Sequence, residues 1–192
     1  APDPVVTFAG GPGQSAAEEA PGYAMMHPKL RERRDVVLVD LRGTGKSAAL
    51  QCKGLMGEHG VQGFLDAFLP ADRVRECHAD YADRDLSQYR TAVAVDDVAD
   101  VLTGLGYERV NAWGGSYGTR SALEFARRHP NRVRTLGLIG LVPPATRAPV
   151  SFARDAQAGL DGTLRECAAD PACAKAFPRV AEVLAAVLAR AG

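Results

Sequence analysis

Short apolar runs recur along the chain and predict its β-strands. Residues 36–39 are four consecutive apolar residues between Asp35 and Asp40, a pattern typical of a buried strand. Residues 5–8 form a similar run, and residues 109–113 and 133–139 predict two further strands.

Apolar residues at helical spacing separate these strands. Residues 23–34 predict one helix and residues 91–105 a second. The apolar face of the second comprises Val98, Val101, Leu102 and Leu105. A third helix is predicted up to residue 128, because small and apolar residues recur from Gly118 at i+4, i+7 and i+8. Residues 50–90 are rich in Gly, Pro, Asp and Arg and predict an irregular excursion with short helices at most.

The order of these elements predicts the fold class. Strands that alternate with helices indicate an α/β fold with a doubly wound, mainly parallel sheet. After Pro144 the pattern changes, because residues 151–192 are alanine-rich and helical, with breaks at Pro171 and Pro178. We therefore predict an α/β core over residues 1–145 and a helical part over residues 146–192.

One glycine-flanked serine carries the clearest chemical signal. Gly114, Ser116 and Gly118 have the G-x-S-x-G spacing, with a predicted strand before them and a predicted helix after them. This is the setting of a nucleophile elbow, in which a strained turn projects a serine hydroxyl above the sheet. Flanking glycines are needed where a side chain would collide with neighbouring backbone. The alternative is an ordinary glycine-rich turn with a helix-capping serine.

A second glycine-rich turn follows the first predicted strand. Backbone N–H groups at Gly10 and Gly11 are not shielded by side chains, as the donors of an oxyanion hole must be. The alternative is a flexible connection between a strand and a helix.

The segment after the strand at residues 36–39 ends in Gly45-Lys46-Ser47 and superficially resembles a phosphate-binding loop. That motif requires glycine where this chain has Asp40, whose carboxylate would repel phosphate. We therefore predict no nucleotide site, and expect Asp40, Arg42 and Ser47 to brace a loop at the carboxyl edge of the sheet.

Composition and charge exclude several classes of protein. Lys plus Arg and Asp plus Glu number 23 each, so bulk charge gives no argument for nucleic acid or for an acidic membrane surface. No apolar run approaches the roughly 20 residues of a membrane span. Asp96, Asp97 and Asp100 predict a solvated helix surface rather than a metal site. We expect no metal and no cofactor.

Four cysteines fall into two local groups, Cys52 with Cys77 and Cys167 with Cys173. Four cysteines allow three pairings, among which the sequence alone does not choose. We favour the two local disulfides and, with them, an exported protein, periplasmic or extracellular. The alternative is four reduced thiols in a cytosolic enzyme.

Taken together, these motifs resemble the α/β-hydrolase fold and, within it, the prolyl aminopeptidase and tripeptidyl aminopeptidase group. The similar segments are GGPGQS at residues 10–15, DLRGTGKS at 40–47, GGSYGTR at 114–120, and VPP at 142–144 with SFARDA at 151–156. The resemblance implies that residues 146–192 begin a helical cap, and that Cys167 and Cys173 lie where exported members carry a short cap disulfide.

The resemblance also implies an activity. It predicts a serine hydrolase that cleaves amide bonds at peptide N-termini through an acyl-enzyme on Ser116. Its oxyanion donors would be the N–H groups of Tyr117 and of the turn at Gly10 and Gly11. The alternatives are a carboxylesterase that acts on small esters or amides, and a catalytically silent binding domain.

The rest of the catalytic triad is not evident in this sequence. In this fold the order along the chain is serine, acid, histidine, and His129 is the only histidine after Ser116. Thirteen helical residues place it roughly 20 Å from the serine. His27, His59 and His78 precede Ser116. We therefore expect the acid and the base on a missing C-terminal segment or on a second chain.

Overall fold

In the part of the chain that the structure describes, four strands form one parallel sheet. The structure is a computed structural model that describes residues 3–26, 28–52, 69–147 and 149–191. The strands are β1 (Val5–Phe8), β2 (Val36–Leu38), β3 (Val110–Gly115) and β4 (Val133–Ile139). Their spatial order is β2-β1-β3-β4, and every neighbouring pair is parallel. The predicted α/β class and the parallel sheet are confirmed.

Two long helices cover one face of this sheet. They are α4 (Thr91–Gly104) and α5 (Tyr117–Arg128), and Phe125 of α5 packs on Phe8 of β1 with ring centroids 5.5 Å apart. The buried core comprises Val6, Phe8, Val95, Val98, Ala99, Leu102, Val110, Ala112, Ala122 and Phe125. This core fixes the carboxyl ends of β1 and β3 side by side.

The prediction of which residues form the apolar face of α4 is partly wrong. Val98 and Leu102 are buried as expected, but Val101 is 39% exposed and Leu105 is 56% exposed. The buried stripe is completed by Ala94, Val95 and Ala99. The buried face thus comprises Val95, Val98 and Leu102, each at most 1% exposed, with the two alanines beside them.

Two short helices lie on the opposite face. They are α1 (Ala20–Met26) and α2 (Pro28–Arg31). Tyr23 and Leu30 line a groove together with Asn111 and Trp113 of β3. Successive strand residues point to opposite faces, so these β3 residues face away from the α4–α5 side. The sheet is therefore doubly wound.

The excursion before α4 contains more helix than predicted. Helix α3 (Ala71–Asp80) has 10 residues, and a disulfide joins Cys77 within it to Cys52, with the Cα atoms 5.3 Å apart. Residues 53–68 of the excursion lie outside the described part of the chain. Short 3₁₀ turns occur at Ala17–Glu19, Leu86–Gln88 and Pro130–Arg132.

The chain divides into two compact units, Ala1–Pro144 and Ala145–Gly192. The second unit contains α6 (Phe152–Ala169), α7 (Pro171–Ala176) and α8 (Val180–Ala191). The Asp170 carboxylate accepts a hydrogen bond of 2.7 Å from the Cys173 N–H and so caps α7.

A disulfide joins Cys167 of α6 to Cys173 of α7, so both predicted cysteine pairs are bonded in the structure. The interpretation of the second unit as the beginning of a cap stays a prediction. Among the described helices, none combines the length and apolarity that crossing a membrane requires.

Candidate active site

Ser116 lies at the sharp turn between β3 and α5, at the carboxyl edge of the sheet. Its backbone has φ 51° and ψ −123°, a conformation that residues with a side chain rarely adopt. The side chain is exposed. The Ser116 N–H donates to the Ile139 carbonyl at 2.8 Å, which ties the turn to the end of β4.

The carbonyl of Ser116 is held as firmly as its N–H group. It accepts hydrogen bonds from the Thr119 N–H at 3.0 Å and from the Thr119 hydroxyl at 2.6 Å. That hydroxyl in turn accepts from the Val142 N–H at 2.8 Å. A strained turn persists only where its surroundings determine it, and these contacts do so from both sides.

The glycines that flank Ser116 are required by close packing. A Cβ on Gly118 would overlap the carbonyl oxygen of Phe8, and one on Gly114 would lie 2.6 Å from the Gly118 carbonyl carbon. Gly115 differs, because a Cβ there would meet nothing within 4 Å. The G-x-S-x-G spacing therefore reflects the contact of α5 with β1 and β3.

The turn after β1 lies directly beside Ser116. A Cβ built on Gly10 would be 3.4 Å from the Ser116 Cβ. Gly11 and Gly13 have φ values of +102° and +103°, which favour glycine. Tyr117 is the first residue of α5, so its N–H has no acceptor within the helix. The backbone of the β1 turn and the first turn of α5 thus both border the serine.

The Tyr117 side chain is anchored to the start of α4. Its hydroxyl lies 2.7 Å from the Thr91 hydroxyl, in a hydrogen bond where either group could donate. A cavity of about 110 Å³ adjoins this contact and is also lined by Gly10, Gln14 and Arg90.

Asp40 joins the β1 turn to the loop after β2. Its Oδ1 accepts from the Ser15 hydroxyl at 2.8 Å and from the Ala17 N–H at 3.0 Å, and its Oδ2 accepts from the Lys46 N–H at 3.0 Å. Burial alone would raise the pKa of Asp40, but these hydrogen bonds outweigh it and hold the pKa below its usual value. The predicted bracing role of Asp40 fits this geometry.

The three acidic residues of α4 were predicted to form a solvated surface, and two of them, partly exposed, are also ion-paired. Asp97 binds the Arg42 guanidinium through two contacts, one of them 2.6 Å from Nε to Oδ2. Asp96 accepts from Arg128 Nε at 2.8 Å. Sequence spacing gives no signal for these pairs, because their partners are brought together only by the packing of different elements.

The histidines in the described part of the chain are His78 and His129. His129 follows α5, and its Nε2 lies 2.8 Å from Asp96 Oδ1, while its ring packs on Phe125 at 5.3 Å. His78 is exposed in α3. His27 and His59 lie outside the described residues. Within the described part of the chain, no hydrogen bond joins a histidine to Ser116.

A sequence model of the alpha/beta hydrolase fold family matches residues 3–188. The chain belongs to this family. The family predicted from the glycine and serine motifs is thereby confirmed.

Relatives within the alpha/beta hydrolase family include peptidases by name. The chain is 28% identical over 180 residues to serine protease Hip1 of Mycobacterium tuberculosis, a match that covers 85% of this chain and 35% of that protein. It is 30% identical over 138 residues to the probable proline iminopeptidase of Streptomyces coelicolor, covering 72% of this chain and 32% of that protein.

A solved structure, the proline iminopeptidase-related protein of Thermus thermophilus, matches with 23% identity and a TM-score of 0.45. That match covers 71% of this chain and 35% of the other. The chain thus spans about a third of the length of the curated relatives named above, by the covered shares of 35% and 32%.

Proposed function

We propose that this chain carries the nucleophile of a serine hydrolase that reacts through an acyl-enzyme on Ser116. The observation that carries the proposal is the backbone of Ser116, which has φ 51° between a strand and a helix while its side chain is exposed. Local strain of this kind costs on the order of 1–3 kcal/mol and clusters at functional sites. A helix-capping serine would not require it, and no capping hydrogen bond from the side chain is present.

The backbone donors beside Ser116 form the oxyanion hole in this proposal. Attack by the Ser116 hydroxyl oxygen on a carbonyl carbon moves negative charge onto the carbonyl oxygen. The Tyr117 N–H and an N–H of the Gly10–Gly11 turn would receive that charge. Loss of one such donor typically lowers kcat by about 10²–10³.

The substrate class we propose is the amide bond at a peptide N-terminus. Its support is the motif resemblance described above, together with relatives named serine protease and proline iminopeptidase. A carboxylesterase would use the same elbow on small esters. Two disulfides support an exported protein, because disulfides persist in oxidising compartments.

We also propose that the acid and the base come from outside the described residues, on a further C-terminal segment or on a second chain. His129 is engaged by Asp96 at the far end of α5. The end of β4 offers no carboxylate either, since the residues there are Leu138, Ile139 and Gly140.

The test uses the whole polypeptide that contains these residues. We expect a fluorophosphonate probe to label the wild type and the control variant Ser87→Ala, and to leave Ser116→Ala unlabelled with its circular dichroism unchanged. Turnover of an amino-acyl arylamide in preference to a p-nitrophenyl ester would support the aminopeptidase over the esterase. A folded wild type that does not label would indicate the silent binding domain and overturn the proposal.

A further inference from the structure

The Asp40 carboxylate joins two loops by hydrogen bonds at the carboxyl edge of the sheet. It follows β2 and accepts hydrogen bonds from Ser15 and Ala17 of the β1 turn and from Lys46 of its own loop. The Ser15 hydroxyl, besides donating to Asp40, accepts from the Glu18 N–H at 3.1 Å. One carboxylate therefore fixes where the β1 turn ends.

This junction leaves little space around the carboxylate. A Cβ on Gly45 would overlap Asp40 Oδ2, would lie 2.5 Å from its Cγ, and would lie 2.8 Å from the Ser15 hydroxyl oxygen. Ser15 is only 8% exposed. Both carboxylate oxygens have backbone N–H partners, so the group cannot rotate without breaking at least one hydrogen bond.

The segment between β1 and this junction contains three glycines, and only Pro12 restricts its own backbone. Gly10, Gly11 and Gly13 are conformationally permissive, and no side chain at these positions restrains the direction of an N–H group. Within the turn, the Gln14 N–H donates to the Gly10 carbonyl over a long 3.4 Å. The orientation of the turn therefore depends on its two ends, which are β1 and the junction at Asp40.

We propose that Asp40 is a positioning residue, which holds the Gly10–Gly13 turn against Ser116 and so sets the direction of its oxyanion donor. The inference rests on the proposed function of Ser116 and goes beyond it, because it assigns a catalytic consequence to a residue that touches neither the substrate nor the nucleophile. A displacement of about 1 Å in such a donor is enough to lower the rate up to about 10²-fold.

The variant that tests this role is Asp40→Asn, and Asp97→Asn is its matched control. Asparagine keeps the shape of the side chain but replaces one acceptor oxygen with an NH₂ group, which faces an N–H donor in either orientation. Asp97 also anchors the loop after β2, through Arg42, and loses the same charge on substitution. An effect on the structure of that loop alone would lower the activity of both variants to the same extent.

In the whole polypeptide we expect Asp40→Asn to lower kcat about 10- to 100-fold while KM stays within about twofold. Binding of a boronic acid, which forms a tetrahedral adduct with the serine, should weaken by the same factor as kcat/KM falls. Asp97→Asn should change neither quantity more than about twofold. Equal losses in both variants, or a rise in KM alone, would overturn the inference.

Amide hydrogen exchange separates this inference from the proposed function. We expect peptides covering residues 10–17 to exchange faster in Asp40→Asn than in Asp97→Asn, with or without activity. If the wild type does not react with fluorophosphonate, the proposed function fails while exchange still decides whether Asp40 fixes the turn. If the wild type reacts but exchange and kcat are unchanged in Asp40→Asn, only the inference fails.

Discussion

Ser116 keeps an unfavourable backbone conformation because hydrogen bonds to neighbouring residues hold its backbone on both sides. The hydrogen bond from its N–H to Ile139 and those from Thr119 to its carbonyl hold the turn in place. The glycines beside it contribute differently, by allowing α5 to approach β1. At Gly118 that approach is so close that the space for a Cβ is already occupied by Phe8 backbone.

We therefore predict that Gly118→Ala destabilises the protein by about 3 kcal/mol or more, because rigid backbone would have to move. Gly115→Ala is the control, since a Cβ there meets nothing within 4 Å. It should change the free energy of unfolding by less than about 1 kcal/mol. Urea unfolding of both variants measures the difference, and similar losses in the two would contradict the packing argument.

At the scale of elements, α4 is attached to its surroundings by two ion pairs as well as by its apolar stripe. Asp97 links it to Arg42 in the loop after β2, and Asp96 links it to Arg128 and His129 at the end of α5. The Arg128 hydrogen bond lowers the pKa of Asp96, burial opposes this, and the hydrogen bond with His129 lowers it further.

The lowered pKa of Asp96 makes part of the stability depend on pH. Because the folded pKa lies below the ordinary value of 3.8, the carboxylate contributes fully above that value, and its contribution is lost as pH falls through the folded pKa. Asp96→Asn should cost about 1 kcal/mol or less at pH 7, since the pair is partly exposed, and the difference from wild type should shrink as pH falls below the ordinary aspartate range.

Asp100→Asn is the matched control for this prediction, because Asp100 is exposed on the same helix and has no ion pair among the described contacts. It should leave stability nearly unchanged across the same pH range. A loss in Asp100→Asn equal to that in Asp96→Asn would show a general charge effect instead of a specific pair.

Sequence patterns predicted the helices and strands better than they predicted the contacts between these elements. The bounds of β4, residues 133–139, and the end of α5 at Arg128 agree with prediction, because apolar runs and Pro130 report local conformation directly. The face of α4 and the partners of its aspartates did not follow from the sequence. Both depend on which elements pack together, and spacing within one helix carries no information about that.

The candidate site, too, could be predicted from the sequence only in part. Ser116 and its glycines could be located from the sequence because the sterics of the turn restrict residue types at three of five consecutive positions. The bracing role of Asp40 was predicted, but its partners Ser15 and Ala17 are more than 20 residues earlier, at separations of 25 and 23. Long-range hydrogen bonds of this kind leave no periodic pattern.

For the whole molecule, the two disulfides lie in different units and close loops of different length. Cys52 and Cys77 are separated by 25 residues within the first unit, whereas Cys167 and Cys173 are separated by 6 within the second. In the chain-entropy account a disulfide restricts the unfolded state, and this effect grows with the length of the closed loop.

We predict that replacing Cys52 and Cys77 together by serine lowers the free energy of unfolding of the first unit by about 3 kcal/mol. Replacing Cys167 and Cys173 together should cost less and should loosen only the second unit. Thermal unfolding followed by hydrogen exchange of each unit measures both effects, and peptide mapping without reductant verifies the pairing in the wild type. Free thiols at these positions, or an equal loss in both double variants, would contradict the prediction and remove the support that the disulfides give to export.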